Sequence, residues 1–279
     1  MRNKLPIEVK KRVWEIDAYR GFLMLLLVCN HLNFTVEAFC INGYYQNFDS
    51  YAWVNITDPL HFWFDWGADG VIFASPFISF LQRYLNEPVV ATFFIISGIS
   101  YRFSRDNFKG GIRLLCAAAF ISVFTMLLVW YTGDEGQFIR FGALHCYACC
   151  HLIYYFLLEE RSDKVLLLTA AVSLVVGYYL RLEPVYSNFA LLVPFGVREY
   201  GATLRDYWPV FPMLGWFLLG AVIGRHRYQE KETRFPMHEH RKWHKPLCFL
   251  GRHSGLIYCG HMVVYTIVFC GIGHIFNLY

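Results

Sequence analysis

Arg20 and His31 stand eleven residues apart in the first long apolar run of this 279-residue chain. On a helix turning about 100° per residue, that spacing returns to within roughly 20° of the same direction, some 16 Å further along. Asp17 lies one turn before Arg20 on the same face and can pair with it. A helix bundle in lipid would turn this stripe inward, because each charge facing the acyl chains costs about a few kcal/mol. The last apolar run repeats the arrangement. Arg252, His253 and Ser254 stand near its start, and His261 lies eight residues beyond His253, about 12 Å deeper and rotated by about 80°. A third imidazole, His145, lies one turn into the run that begins at Arg140, with His151 beyond it. His31, His145 and His261 are thus placed to converge from three helices. A neutral buried imidazole can take the proton of an attacking hydroxyl or amine, or carry an acyl group itself as a covalent intermediate. Guanidinium groups hold phosphates through a planar fork, and Arg140 or a second imidazole can supply the donor that a developing oxyanion needs. The plainer alternative gives each Arg to lipid phosphate by snorkelling and each His to a backbone carbonyl.

Three rival chemistries find less support. The run His145-Cys146-x-x-Cys149-Cys150-His151 looks like a zinc motif, but on a helix these side chains point all round the axis and no second Cys pair matches, so no metal is expected. Ser254 beside His253 is no nucleophile pair, since adjacent helical residues diverge by about 100°. No Gly-rich phosphate loop follows a strand, which leaves nucleotide hydrolysis without a motif. Eight of the nine cysteines lie within the apolar runs and Cys40 stands near the end of the first, a pattern of small packing residues rather than a disulfide framework.

The elements that must position these residues are membrane helices. A composition 56% hydrophobic, 19% aromatic and only 16% charged is too apolar for a soluble domain and ordinary for a polytopic bundle. The runs place seven spans at roughly 20–40, 88–104, 111–131, 140–158, 165–182, 207–224 and 248–275, each near the length that about 30 Å of hydrocarbon requires. Threading them puts almost every Lys and Arg on one side. Arg83, Arg140, Arg181, Arg198 and Arg205 are the exceptions, and the imbalance predicts a cytoplasmic N-terminus and an extracytoplasmic C-terminus. Two outer segments, Gly67–Tyr84 and Tyr186–Val197, read as re-entrant or interfacial, the first as a helix. The fold class is an all-α membrane protein, one domain over 1–279, with the hydrophilic linker Arg225–Lys245 on the inner side. No cleavable signal peptide and no inverted repeat are discerned. The net charge of +4 sits at helix ends facing anionic headgroups, and so does not argue for nucleic acid.

Five motifs, in order, carry a resemblance. Ile-Asp-Ala-Tyr-Arg-Gly (16–21), Phe-Phe-Ile-Ile-Ser-Gly-Ile-Ser (93–100), Ile-Arg-Phe-Gly-Ala-Leu-His (139–145), Asp-Tyr-Trp-Pro-Val-Phe-Pro-Met-Leu-Gly (206–215) and Leu-Gly-Arg-His-Ser-Gly-Leu-Ile-Tyr (250–258) resemble the bacterial transmembrane proteins related to the catalytic domain of heparan-α-glucosaminide N-acetyltransferase. The resemblance runs from about residue 12 to 275 and implies transfer of an acetyl group from cytoplasmic acetyl-CoA to an amine or hydroxyl of an extracytoplasmic sugar or glycan. It implies a bacterial inner membrane, and it leaves a homo-oligomer open. Asp17, Arg20, Arg102, Arg105, Lys109, Arg140, Arg252, His253 and Ser254 are then expected around the CoA moiety, with His31, His61, His145 and His261 as the catalytic set: His31 as the base, His61 second, and His145 or His261 orienting. His31 falls where such proteins carry a polar residue facing the active centre, and His261 matches the family's histidine in the last span. The family continues there with Gln-Pro, where this chain has Met262-Val263. His61, in Leu-His-Phe-Trp-Phe-Asp (60–65), occupies roughly the place of the outer-loop histidine at a longer spacing. The large lumenal insertions of the lysosomal enzyme are missing, so heparan sulfate itself is not implied. A transporter using the same buried His and Arg groups is the alternative, and a non-catalytic scaffold the third reading.

Overall fold

The computed structural model describes residues 13–36, 64–66, 72–74, 86–104, 106–133, 138–201, 206–228, 232–236 and 242–277. The protein is mostly helical, in the order α1 Trp14–Val36, β1 Phe64–Trp66, β2 Ile72–Ala74, α2 Asn86–Tyr101, α3 Asn107–Thr132, α4 Ala143–Ile153, α5 Asp163–Leu182, β3 Tyr186–Ser187, β4 Arg198–Glu199, α6 Val210–Arg227, α7 Lys245–Arg252 and α8 Ser254–Ile275. A single π-turn, Tyr154–Leu158, extends α4, and a 3₁₀ turn, Ala190–Phe195, lies between β3 and β4. Among the described residues, three stretches are long and apolar enough to cross a membrane, Asn107–Tyr131, Asp163–Leu182 and Ser254–Ile275. Glu87–Tyr101 and Ala143–Leu158 are shorter apolar helices.

The chain divides into two compact units. One comprises Met1–Ile16 and Ala91–Trp243. Its helices approach through glycine, as lipid-embedded helices do in the absence of a hydrophobic drive between them. A methyl group at Gly98 of α2 would overlap the Phe217 carbonyl of α6, and one at Gly220 would overlap the Ile95 carbonyl. Phe94, Ala118, Cys146, Leu166, Phe217 and Leu218 fill the core. α3 is capped at its start by the Asp106 carboxylate on the Lys109 N–H at 2.9 Å, and at its end by Gly133 at φ 73°. Its exposed Phe120, Val123, Leu127 and Trp130 form the kind of apolar surface that hydrocarbon covers. After α6, the chain ties down the first turn of α1, where Glu15 accepts from the Thr233 hydroxyl and the Arg234 N–H, both at 2.7 Å, and Trp14 packs edge-on to Phe235 and Trp243.

The second unit comprises Asp17–Val90 and His244–Tyr279. Here α1 meets α7 through another glycine pair. A methyl at Gly21 would overlap the Leu247 carbonyl, and one at Gly251 the Asp17 carbonyl. Further along, the Tyr265 hydroxyl of α8 donates to the Val28 carbonyl of α1 at 3.0 Å.

Two expectations change. The last apolar run is not one helix from 248. It breaks at His253, whose N–H reaches both the Phe249 and Leu250 carbonyls, and the long helix starts at Ser254. Gly251 and Gly255 on either side are poor helix formers. The helix expected over 67–84 is a strand at Ile72–Ala74, paired antiparallel with Phe64–Trp66, as a β-branched and aromatic composition favours. The rest of that stretch lies outside the described residues.

Candidate functional site

Within the second unit, α1 and α8 bring two of the expected imidazoles together. His31 Nδ1 lies 2.6 Å from His261 Nε2, with the rings stacked at 4.9 Å and 21°. The proton order along this contact follows from a neighbour that can only accept. His261 Nδ1 is 3.0 Å from the Ile257 carbonyl, one helical turn back, so Nδ1 carries the hydrogen. In the neutral ring Nε2 then holds a lone pair and accepts from His31 Nδ1–H. The same count leaves His31 Nε2 as the basic nitrogen of the pair. His261 is 7% exposed, and its ring is bracketed edge-on by Tyr258 and Tyr265. A carbonyl and two imidazoles in series is the arrangement that orients a general base and spreads the positive charge it acquires.

At the start of α1 in this unit, Asp17 Oδ1 lies 3.8 Å from Arg20 and Oδ2 3.8 Å from Arg252 Nε. One carboxylate therefore serves two guanidinium groups. Arg252 is oriented further by Nε–H donating to the Cys248 carbonyl at 3.0 Å. His253 Nδ1–H donates to the Phe249 carbonyl at 2.9 Å, and Ser254 opens α8. The Asp17–Arg20 pair was legible from its spacing; the share that Arg252 takes in it was not.

The remaining expected residues lie in the first unit or outside the described residues. His145 is bonded on both ring nitrogens. The Gly142 N–H donates to Nδ1 at 3.2 Å, so Nε2–H donates to Ser122 Oγ at 3.0 Å, and Ser122 passes its own hydrogen to the Ile139 carbonyl at 2.9 Å. This is the bonding of a helix start, completed by Asp206 Oδ2 accepting from the Ala143 N–H at 3.2 Å. Arg140 bridges to Glu199 at 2.7 Å. Arg102 is exposed at the end of α2. Lys109 reaches Asp106 at 3.0 Å, and its backbone N–H and ammonium together hold the Asp106 carboxyl below the usual carboxylate range. His61 and Arg105 lie outside the described residues. Among those described, no group of three His, Cys, Asp or Glu side chains is arranged to hold a metal ion.

The sequence reading missed a half-buried polar hub in the first unit. Arg225, read there only as the start of the inner-side linker, donates to the Tyr154 hydroxyl at 2.9 and 3.2 Å, to Asp163 at 3.0 Å and to the carbonyls of Glu159 and Arg161. Glu159 in turn accepts from the Tyr101 hydroxyl at 2.8 Å. The signal available was the acidic pair Glu159 and Asp163 breaking an apolar stretch, but their partner lies more than sixty residues away.

The family model described as Heparan-alpha-glucosaminide N-acetyltransferase, catalytic, matches residues 58–263, well over half of the chain. The matched stretch contains His61, His145, Arg252 and His261, and begins after Asp17, Arg20 and His31. The comparisons with curated proteins and with solved structures give no match.

Proposed function

The chain belongs to the heparan-alpha-glucosaminide N-acetyltransferase catalytic family, and on that premise we propose that it is a multi-pass membrane enzyme moving an acetyl group from cytoplasmic acetyl-CoA to an amino or hydroxyl group of an extracytoplasmic sugar or glycan. The observation that carries this reading is the 2.6 Å contact between His31 and His261, with its proton order set by the Ile257 carbonyl.

His31 Nε2 takes the proton of the acceptor as its nitrogen or oxygen attacks the thioester carbonyl. The imidazolium so formed is stabilised through Nδ1–H on His261. When the carbon–sulfur bond breaks, the proton passes from His31 to the departing thiolate, which leaves the pair neutral and ready for the next turnover. The two-step variant forms an acetyl-imidazole at the same nitrogen before the acceptor arrives. Arg20 and Arg252, which share Asp17, supply the positive charge for the CoA phosphates. Arg20 precedes His31 by about 16 Å of helix rise, a span that a pantetheine arm bridges. His145, saturated at a helix start, and Arg140, bridged to Glu199, are read as positioning their own unit rather than as part of the reacting pair.

The test is direct. Purified protein in a lipid nanodisc, given radiolabelled acetyl-CoA and a panel of amino sugars, should release free CoA and label one acceptor. His31→Ala should abolish release while acetyl-CoA still binds. No thiol release with any acceptor, together with solute uptake by reconstituted vesicles, would replace the enzyme with a transporter.

A further inference from the structure

We propose that the exposed face of α7 is a stacking platform for a purine nucleotide carrying phosphates, the end of an acyl-CoA remote from its thioester; the inference rests on the donor reading above. Lys245, Phe249 and Arg252 fall within about 60° of one another around the helix axis, and all three are exposed, while Cys248 and Gly251 are the buried positions of α7. Phe249 is 58% exposed, a large aromatic surface on a face otherwise made of cations. Its ring is not loose. The His253 ring lies 4.4 Å away at 39°, and the His253 imidazole is itself held by the Phe249 carbonyl. Beside this aromatic pair stand Arg252 and Lys245, and Arg20 shares Asp17 with Arg252. Among the described residues the patch gathers three cations and one carboxylate.

A phosphate alone would need the cations but no aromatic face. A phenyl ring anchored in acyl chains would need no imidazole laid against it and would not be ringed by guanidinium and ammonium groups. A nucleotide phosphate uses both features at once: its base lies against the Phe249–His253 pair, Arg252 can engage base or phosphate, and Lys245 contributes a point charge.

The probe is adenosine 3′,5′-bisphosphate, titrated against the full chain in nanodiscs of zwitterionic lipid. Phe249→Leu fills the same apolar volume without a π face and should weaken binding by about tenfold, whereas Phe249→Trp should restore it. In turnover, Phe249→Leu should reduce the preference for acetyl-CoA over S-acetylpantetheine, which has no nucleotide, by the same factor. Thermal unfolding of both variants controls for folding. Equal bisphosphate affinity in wild type and Phe249→Leu overturns the platform, and if acetyl-CoA is still turned over, the donor reading survives it. Repeating the titration in discs enriched in phosphatidylglycerol tests the lipid source: displacement of the bisphosphate by lipid, with Phe249→Leu matching wild type in both discs, would make the patch a headgroup site and overturn the proposal. A wild-type protein that neither binds the bisphosphate nor releases CoA removes the donor reading and the platform together.

Discussion

The series from the Ile257 carbonyl through His261 to His31 predicts that His261 can be removed without removing substrate binding. In His261→Phe the ring volume stays in place, but His31 Nδ1–H loses its acceptor. In the resting enzyme that bond is between neutral groups, with a net worth of about 0.5–1.5 kcal/mol; once His31 is protonated it joins a charged donor and is worth about 1.5–3 kcal/mol. The difference, about 1–1.5 kcal/mol, is felt only as charge develops and alone slows turnover about tenfold. Loss of the enforced tautomer at Nε2 adds to this, so the expected fall in kcat is between about 10-fold and 100-fold, against the about 10²–10⁴-fold that removal of a general base itself costs in His31→Ala. KM for acetyl-CoA should stay within about twofold, because no group near Asp17, Arg20 or Arg252 changes. His261→Gln, whose amide oxygen reaches about as far as the lost Nε2, keeps a side-chain acceptor for His31 and should recover part of the loss. Initial rates of CoA release, followed with a thiol reagent at saturating acceptor, give all three numbers. A His261→Phe enzyme with unchanged kcat, or one whose defect lies wholly in KM, would refute the relay.

Other consequences concern the frame. Gly21→Ala and Gly251→Ala each drive a methyl group into a carbonyl across the α1–α7 contact, so each should destabilise the protein by about 1–3 kcal/mol, read as a lowered midpoint of thermal unfolding; a wild-type midpoint would mean that the helices do not touch there. Arg225→Lys keeps the charge but cannot serve Tyr154, Asp163 and two carbonyls at once, and should lose about 1.5–3 kcal/mol, whereas a silent substitution would mark the hub as incidental. The Asp106 carboxyl is held low in the folded protein by Lys109; its stabilising share is therefore present above the unfolded carboxylate pKa near about 3.9 and lost as pH falls through the lower folded value. Asp106→Asn should accordingly lower the unfolding midpoint at neutral pH and converge on wild type in acid, and a gap that does not narrow would contradict the assignment.

Much of the local chemistry was legible in the residues. Helical spacing paired Asp17 with Arg20 and set His31 on their side of α1, because both relations lie within one helix, where a single period governs direction. What spacing could not do was choose among imidazoles on different helices. With His31 expected as the base, His145 and His261 stood as alternative orienting partners until the helix start at Gly142 took up both nitrogens of His145 and α8 presented His261 to His31. The break at His253 was hidden because the apolar run is continuous across it, and hydropathy registers composition, not the backbone angle. Arg225 was missed for a related reason. Its hydrogen-bond partners come from Tyr154 to Asp163, and a charge at the end of an apolar run reads as a snorkelling base unless its tertiary neighbours are known.

One tertiary relation does leave a trace in the sequence. Gly21 precedes His31 by ten residues, and Gly251 precedes His261 by ten. The first members of these pairs touch across the α1–α7 contact, and the second members are bonded across α1 and α8. Two contacts with equal spacing require the two segments to run parallel, side by side, each rising about 15 Å between contacts. The close approach allowed by the glycines then sets the level at which the imidazoles meet, so the packing contact and the chemistry share one register. The break at His253 does not disturb that register, since the two contacts keep the ten-residue spacing across it. A single alanine inserted after Met24 would test the coupling. It leaves Gly21 against Leu247 but carries His31 round by about 100° and forward by about 1.5 Å, out of reach of His261. Turnover should fall as far as in His31→Ala while the glycine contact and the thermal midpoint largely persist. Deleting one residue between Leu25 and Cys29 from the inserted variant should restore the spacing and, with it, a measurable part of the rate.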